Sequence, residues 1–368
     1  MTTALREGHR FELEPGVIRG QWWHRLEDGR TQCDLCPRSC KLHDGQKAFC
    51  FVREARNGEI VLTSYGRATG YCVDPIEKKP LNHFYPGSSV LSFGTAGCNL
   101  GCRYCQNWDI SKAREDRVLA ARATPAEVAE AAVDAGCQSV AFTYNDPIIF
   151  AEYAIDCAKE AHARGVRTIA VSNGYMTPLA RNDFYAHMDA ANIDLKAFND
   201  RFYHEICSAH LEPVLDTLKW LKHQTKVWLE VTTLLIPGYN DSEAEIDQLC
   251  AWFLKNLGRD VPLHFSAFHP DFKMLDVPPT PPATLFRARA QAQAAGLVHV
   301  YTGNIRDPEG QSTVCAGCGQ RVIGRDRYAI TAWNLDAQGR CRGCSRPLAG
   351  HFEPGPGHWR GQQRPLFL

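Results

Sequence analysis

The sequence predicts an α/β protein built on a parallel sheet, and three observations carry that prediction. Between residues 90 and 302, short β-branched or apolar runs alternate with helical stretches; the runs are mostly apolar rather than apolar at every second position; and the helices bring their own start and stop signals. Strands of this kind are buried on both faces, which is the condition of a parallel sheet covered by helices. Right-handed crossovers then curl the sheet into a barrel or wind it doubly, and the sequence period does not choose between the two. In both folds ligands gather at the C-terminal ends of the strands.

The elements follow in order. Strands are expected at residues 90–93, 139–143, 166–171, 192–195, 227–234 and 263–268, giving six βα repeats. The first helix has Thr124 as N-cap, Pro125 at its first position and Glu127 closing a capping box, with Val128, Ala131, Ala132 and Ala135 on one face before Gly136. A second, from residue 148, stops at Gly165; Thr177 and Pro178 open a third. Ser242 with Glu245 opens a fifth, and an Ala-rich stretch from Pro282 ends at Gly296.

A chain of 368 residues with 44% hydrophobic content has room for about two to three domains. Its 41 basic and 41 acidic side chains cancel, so no global field draws it to nucleic acid or to anionic lipid. Residues 1–17 carry scattered charges and no apolar core, so no secretory signal is expected, and no run of roughly 18 apolar residues appears. A cytoplasmic protein is therefore expected. In a reducing compartment, 16 cysteines are better explained by metals than by disulfides.

The cysteines divide the chain. Cys33, Cys36, Cys40 and Cys50 mark an N-terminal module over residues 1–89; Cys98, Cys102 and Cys105 lie in a core over 90–304; Cys315, Cys318, Cys341 and Cys344 mark a C-terminal module and tail over 305–368. Cys137, Cys157, Cys207 and Cys250 read as inert packing, because a buried free thiol behaves as a small hydrophobe. Cys72 follows the first set and is a candidate to supplement it. The central loop, GTAGCNLGCRYCQNW at 94–108, places three thiolates within eight residues directly after a strand, with glycines that let the backbone wrap closely. Three ligands leave one coordination position open, the mark of a reactive rather than a structural centre. A zinc site completed by a distant residue is the alternative.

The C-x3-C-x2-C loop after the first strand, with Tyr104 before the last cysteine, resembles the signature of radical S-adenosylmethionine (SAM) enzymes. The stretches DPIEKKPLNHFYPGS (74–88), CQNWDIS (105–111), FTYNDP (142–147), SNGY (172–175), DLK (194–196) and YTGN (301–304) are similar to the AmmeMemoRadiSam-system radical SAM enzymes, relatives of the pyruvate formate-lyase activating enzymes, over about residues 22–350. The resemblance implies a partial (β/α)6 radical SAM barrel and a 4Fe-4S cluster on Cys98, Cys102 and Cys105 whose open iron is chelated by SAM. It also implies reductive cleavage of SAM to a 5′-deoxyadenosyl radical, an electron donor of the flavodoxin or ferredoxin class, and MEMO-like and AMMECR-like protein partners.

Carried over residue by residue, the resemblance places Tyr104 near the adenine. Asn145 and Asp146 stand where many members have a Gly-Gly-Glu motif that bonds the SAM amino group; this chain departs from that pattern, and an Asp-Pro turn is the alternative. Ser172 and Asn173 are candidates for the SAM ribose or carboxylate, or else an ordinary turn with a helix cap. Asp194 and Lys196, two residues apart, can point into one interior, where they contact SAM in the activating enzymes; an internal ion pair is the competing view. The segment at 236–238 is a candidate to close the adenine side, and His264 and His269 flank the sixth strand.

The outer sets are read separately. Two C-x2-C knuckles, at Cys315/Cys318 and Cys341/Cys344, present four thiolates in the manner of a zinc ribbon, so structural zinc is expected, with a rubredoxin-type iron or a redox dithiol as alternatives. Arg321, Arg325 and Arg327 between the knuckles read as a solvated charged hairpin, with a binding patch as the alternative. Cys33-x2-Cys36-Pro-x2-Cys40-x9-Cys50 fits either zinc or an auxiliary iron–sulfur cluster, with a structural metal preferred. Against the radical SAM enzyme stand a glycyl-radical-enzyme activase and, from another class, a metal-stabilised nucleic-acid-binding scaffold, which the neutral charge disfavours.

Overall fold

A computed structural model describes residues 12–113, 118–359 and 363–368; most of the segment weighed as a secretory signal lies outside the described residues. The centre is a nine-stranded sheet whose strands we number β1 (Gly70–Pro75), β2 (Ser89–Gly94), β3 (Ser139–Phe142), β4 (Arg167–Ser172), β5 (Ala190–Asp194), β6 (Trp228–Leu235), β7 (Leu263–Ala267), β8 (Val300–Gly303) and β9 (Arg364–Leu366). Their order is β8-β7-β6-β5-β4-β3-β2-β1-β9. From β2 to β8 every neighbour is parallel, while β1 and β9 add antiparallel at one edge. The parallel strands run in chain order without the reversal that defines a doubly wound sheet.

Two expectations change here. A seventh parallel strand, β8, follows the six expected ones; the apolar signal of Val300–Gly303 is only four residues long. The sheet also exceeds the limits of 90–304, because β1 comes from the segment assigned to the N-terminal module and β9 from the C-terminal tail.

Helices cover the sheet: α1 (Pro125–Asp134), α2 (Ala151–Ala163), α3 (Pro178–Tyr185), α4 (Asp200–Cys207), α5 (Glu212–Gln224), α6 (Glu243–Asn256) and α7 (Pro282–Ala295). The capping box of α1 forms as written, with Thr124 and Glu127 exchanging side-chain and backbone hydrogen bonds. Ser242 accepts from the Glu245 N–H at the start of α6, and Gly296 ends α7 at φ +111°, a conformation that suits a residue without Cβ. The segment expected as one helix from 148 begins instead as a 3-10 turn, Pro147–Phe150, before α2, because Asp146 caps it two residues early. Val90, Leu91, Phe93, Val140, Phe142, Ile169 and Ile193 are fully buried between the layers.

The N-terminal residues form two small antiparallel sheets that dock on α2. The anchor is a buried ion pair: Arg53 meets Glu152 at 2.5 Å with both side chains excluded from solvent, and Glu152 also accepts from the Gln21 N–H at 2.6 Å. Removing one partner of such a pair strands a buried charge, at a cost of about 3–5 kcal/mol. The C-terminal module is a three-stranded sheet, Thr313–Val314, Arg321–Asp326 and Ala329–Trp333, around its own core of Val322, Ile323 and Leu335. Arg325 is not on a solvated hairpin: it is 1% exposed, donates to Thr313 Oγ1 at 2.8 Å and to Asn82 O at 2.6 Å, and lies 3.5 Å from Glu77. Among the described residues no helix is long and apolar enough to cross a membrane.

Candidate active site

The loop after β2 is held from several sides. Its Gly101 and Arg103 N–H groups donate to Cys207 O and Ile206 O at the end of α4, its Gly97 N–H donates to Ile110 O, and Lys112 Nζ donates to Leu100 O at 2.6 Å. Asn145, on the loop after β3, donates to Gly97 O at 2.8 Å and accepts from the Thr95 N–H at 3.2 Å, so its amide clamps the cysteine loop. Gly97 is required for space as well as for its φ of +83°: a Cβ there would stand 1.8 Å from Cys50 O.

Cys98, Cys102 and Cys105 all face one cavity of about 410 Å³ at the C-terminal ends of the strands, together with Tyr104, Asn145, Asp146, Asn173, Asp194 and Lys196. Burial pushes the Cys98 thiol up to about 12 and raises Cys105; Cys102 is raised by donating toward Cys207 and by burial. Thiols in that condition ionise when a cationic centre takes them as ligands, releasing protons. A hollow of about 510 Å³ lies at the opposite end of the sheet beside Arg167, Asp189 and Val227, but no thiol lines it.

Asp146 is the hub of the second strand end. Its Oδ2 accepts the Asn173 N–H at 2.7 Å and the Ser172 hydroxyl at 3.1 Å, and its Oδ1 accepts the Ile148 N–H at 3.0 Å. Burial pushes it up to about 6, with those donors opposing. Its lone pairs are thus largely committed to the protein, which makes Asp146 a positioning residue. Ser172 and Asn173 bond within their turn, and Asn173 but not Ser172 lines the cavity. Asp194 and Lys196 form the ion pair at 2.6 Å and face the cavity as well. Burial works against the Lys196 charge, but Asp194 outweighs it and holds the ammonium above its ordinary range. Lys196 lies beyond the end of β5, not within the strand.

Other expectations are displaced. Residues 236–238 stand outside the cavity lining, where Leu234 and Thr232 take that wall. His264 is buried and bonds Glu230 at 2.7 Å; exposed His269 lies 3.3 Å from Pro270 O. Cys207 is buried in the core as expected, and its Sγ also lies 3.7 Å from the Tyr104 hydroxyl. Cys72 sits within β1 beside Asp74, so it does not supplement the first cysteine set.

Sequence reasoning missed two groups. Asn99, the residue after Cys98, donates to Tyr175 O and accepts from Asn173 Nδ2, both at 2.8 Å, tying the cysteine loop to the end of β4. Facing the thiols, Lys79 meets Asp74 at 2.5 Å with both side chains buried, and Tyr144, at φ +71°, donates its hydroxyl to Asp74 at 2.7 Å. Burial lowers Lys79 to about 8, against the pull of Asp74. The sequence signals for this wall were the motifs at 74–88 and 142–147, which name the residues but not their pairing.

Comparison with known proteins places these features. Residues 93–250 match the radical SAM superfamily, a span that runs from the end of β2 into α6 and contains the cysteine loop. An uncharacterized protein of Methanocaldococcus jannaschii is 40% identical over 330 residues, which are 89% of this chain and 97% of that protein. The chain belongs to the radical SAM superfamily. A GTP 3′,8-cyclase of Peptoclostridium acidaminophilum is 27% identical over 192 residues, and the chain spans 54% of that relative's length. Among solved structures, a radical SAM methyltransferase from Sphaerobacter thermophilus is 15% identical with a TM-score of 0.47, covering 78% of this chain and 76% of that one.

Radical SAM membership implies a 4Fe-4S cluster and SAM. The residues fit both groups: three thiols without disulfide partners share one wall, and a zwitterionic ligand finds the Asp194–Lys196 pair and the Asn173 amide across the same cavity.

Proposed function

We propose that this protein is a cytoplasmic radical SAM enzyme of the AmmeMemoRadiSam type, in which a reduced 4Fe-4S cluster cleaves SAM to a 5′-deoxyadenosyl radical that takes hydrogen from a substrate. The observation that carries the reading is the convergence of Cys98, Cys102 and Cys105 with Asn173, Asp194 and Lys196 on one cavity at the C-terminal strand ends. The unreversed strand order supports a partial (β/α)6 barrel as its frame.

In this reading the three cysteines hold the cluster, while Asn145 and Asn99 keep their loop in register with β3 and β4. Asp146 aligns the backbone and side chain of Asn173. Asp194 and Lys196 offer one carboxylate and one ammonium to the amino and carboxylate ends of SAM, and buried Tyr104 lies beside the adenine. Lys79 and Tyr144 form the wall toward the substrate, and the buried walls exclude water from the reacting end. An electron donor of the flavodoxin or ferredoxin class and MEMO-like and AMMECR-like partners complete the system. The C-terminal cysteines hold zinc: their sulfurs pair at 3.5 Å and 3.7 Å, near the tetrahedral edge of about 3.8 Å that follows from a Zn–S bond of about 2.3 Å.

The test is anaerobic reconstitution, addition of dithionite and SAM, and measurement of 5′-deoxyadenosine. Product is expected from the wild type and only background from a variant with Cys98, Cys102 and Cys105 all changed to Ala. A cluster-loaded wild type that forms no product, alone or with the two partner proteins, overturns the reading.

A further inference from the structure

The three cysteine sets have two geometries. In the C-terminal set all four sulfurs lie within 4.8 Å of one another, close enough for one ion to reach them all. Among the described residues no other three ligand atoms of His, Cys, Asp or Glu lie that close. Cys33, Cys36, Cys40 and Cys50 nevertheless share one neighbourhood: the Cys33 N–H donates to Cys40 O at 2.9 Å, and Cys33 and Cys50 are buried in the core against which Cys36 and Cys40 pack. No three of their sulfurs come within the 4.8 Å that the C-terminal set keeps, so the spacing is wider than a mononuclear site requires. A cubane, whose thiolates bind different irons, takes ligands at that wider spacing.

The spacing along the chain points the same way. The C-terminal set is two C-x2-C knuckles, each gripping one ion from a tight turn. The N-terminal set is a single run, Cys33-x2-Cys36-x3-Cys40, completed by Cys50; it packs three thiols into eight residues, as the Cys98 loop does in the opposite order. The position of the set adds a third observation. Cys50 O lies against the Cα of Gly97, next to Cys98, and the Arg38 guanidinium donates to Asn99 O and Ser208 O across the same contact.

We infer that Cys33, Cys36, Cys40 and Cys50 hold a second iron–sulfur cluster, set against the loop that carries Cys98. This replaces the structural metal that the sequence favoured, and it stands apart from the SAM reading, since it concerns cluster content and not turnover. The wild-type chain is purified anaerobically from cells supplied with iron and zinc, reconstituted with iron and sulfide, and assayed for iron, sulfide and zinc with Mössbauer spectra. About eight iron and one zinc per chain are expected, and the variant lacking Cys98, Cys102 and Cys105 retains about four iron and four sulfide, with the electron paramagnetic resonance signal of a reduced cluster. Adding Cys33→Ala and Cys36→Ala to that variant removes the remaining iron and leaves the zinc. About four iron and two zinc in the wild type overturns the inference, whatever the folding of the variants and whether or not 5′-deoxyadenosine forms.

Discussion

Polar residues at the strand ends here act mainly on one another. Asp146 receives two backbone N–H groups and a hydroxyl, and a buried carboxylate that satisfies three donors is worth about 1.5–3 kcal/mol per charged hydrogen bond. Asp146→Asn turns an acceptor into a donor against the Asn173 or Ile148 N–H, so urea unfolding should show a loss of roughly 2 kcal/mol. Because Asn173 loses its alignment, the apparent KM for SAM should rise as well; unchanged stability and unchanged KM would refute the positioning role. The identity of this residue was legible in FTYNDP, but its use was not. A motif names a side chain, whereas two of the three donors that occupy its lone pairs come from the end of β4, 26 and 27 residues away.

Loops and helix ends obey local rules until another element touches them. Gly97 and Gly136 both have positive φ, yet a Cβ on Gly97 would strike Cys50 O while one on Gly136 would meet nothing within 4 Å. Gly136→Ala should therefore cost only the backbone preference, roughly 1 kcal/mol, and leave iron content unchanged. Gly97→Ala adds a clash with the N-terminal module and should cost roughly 2–4 kcal/mol by thermal unfolding, with reduced iron uptake. Equal costs for the two would show that the contact with Cys50 is unimportant. Caps at Thr124 and Ser242 were readable because their partners lie three residues on. The 3-10 start of α2 and the strand β8 were missed where the local signal is short.

Across the molecule, the C-terminal module docks through neutral imidazoles. His83 bonds Ala349 O at 2.7 Å and the Tyr301 hydroxyl at 2.6 Å, and its ring lies 4.4 Å from that of His299. Burial lowers His299 to about 4, against the pull of Asp260 and Glu230, and also lowers His83. An unfolded histidine takes its proton near pH 6.5, so between about 6.5 and 4 the unfolded chain binds more protons and stability falls as pH falls. For His299 alone the loss is about 3 kcal/mol over that window. Denaturant titrations from pH 7 to 4 should show this decline, and His299→Gln should flatten it; parallel slopes for wild type and variant would refute it.

Local chemistry in the sequence determined the repeats, their caps, the cysteine loop and the short C-x2-C runs of the two outer sets, because each of these depends on residues within about ten positions of one another. Tertiary structure alone decided which of those residues face the same cavity, that Lys79, Asp74 and Tyr144 close it, that Arg325 and Cys207 are buried partners, and how far apart each set of sulfurs stands. The physical reason is that burial and pairing are made between elements tens to hundreds of residues apart. A sequence pattern carries the propensity of each element, while the distance between two of them exists only once the core has closed.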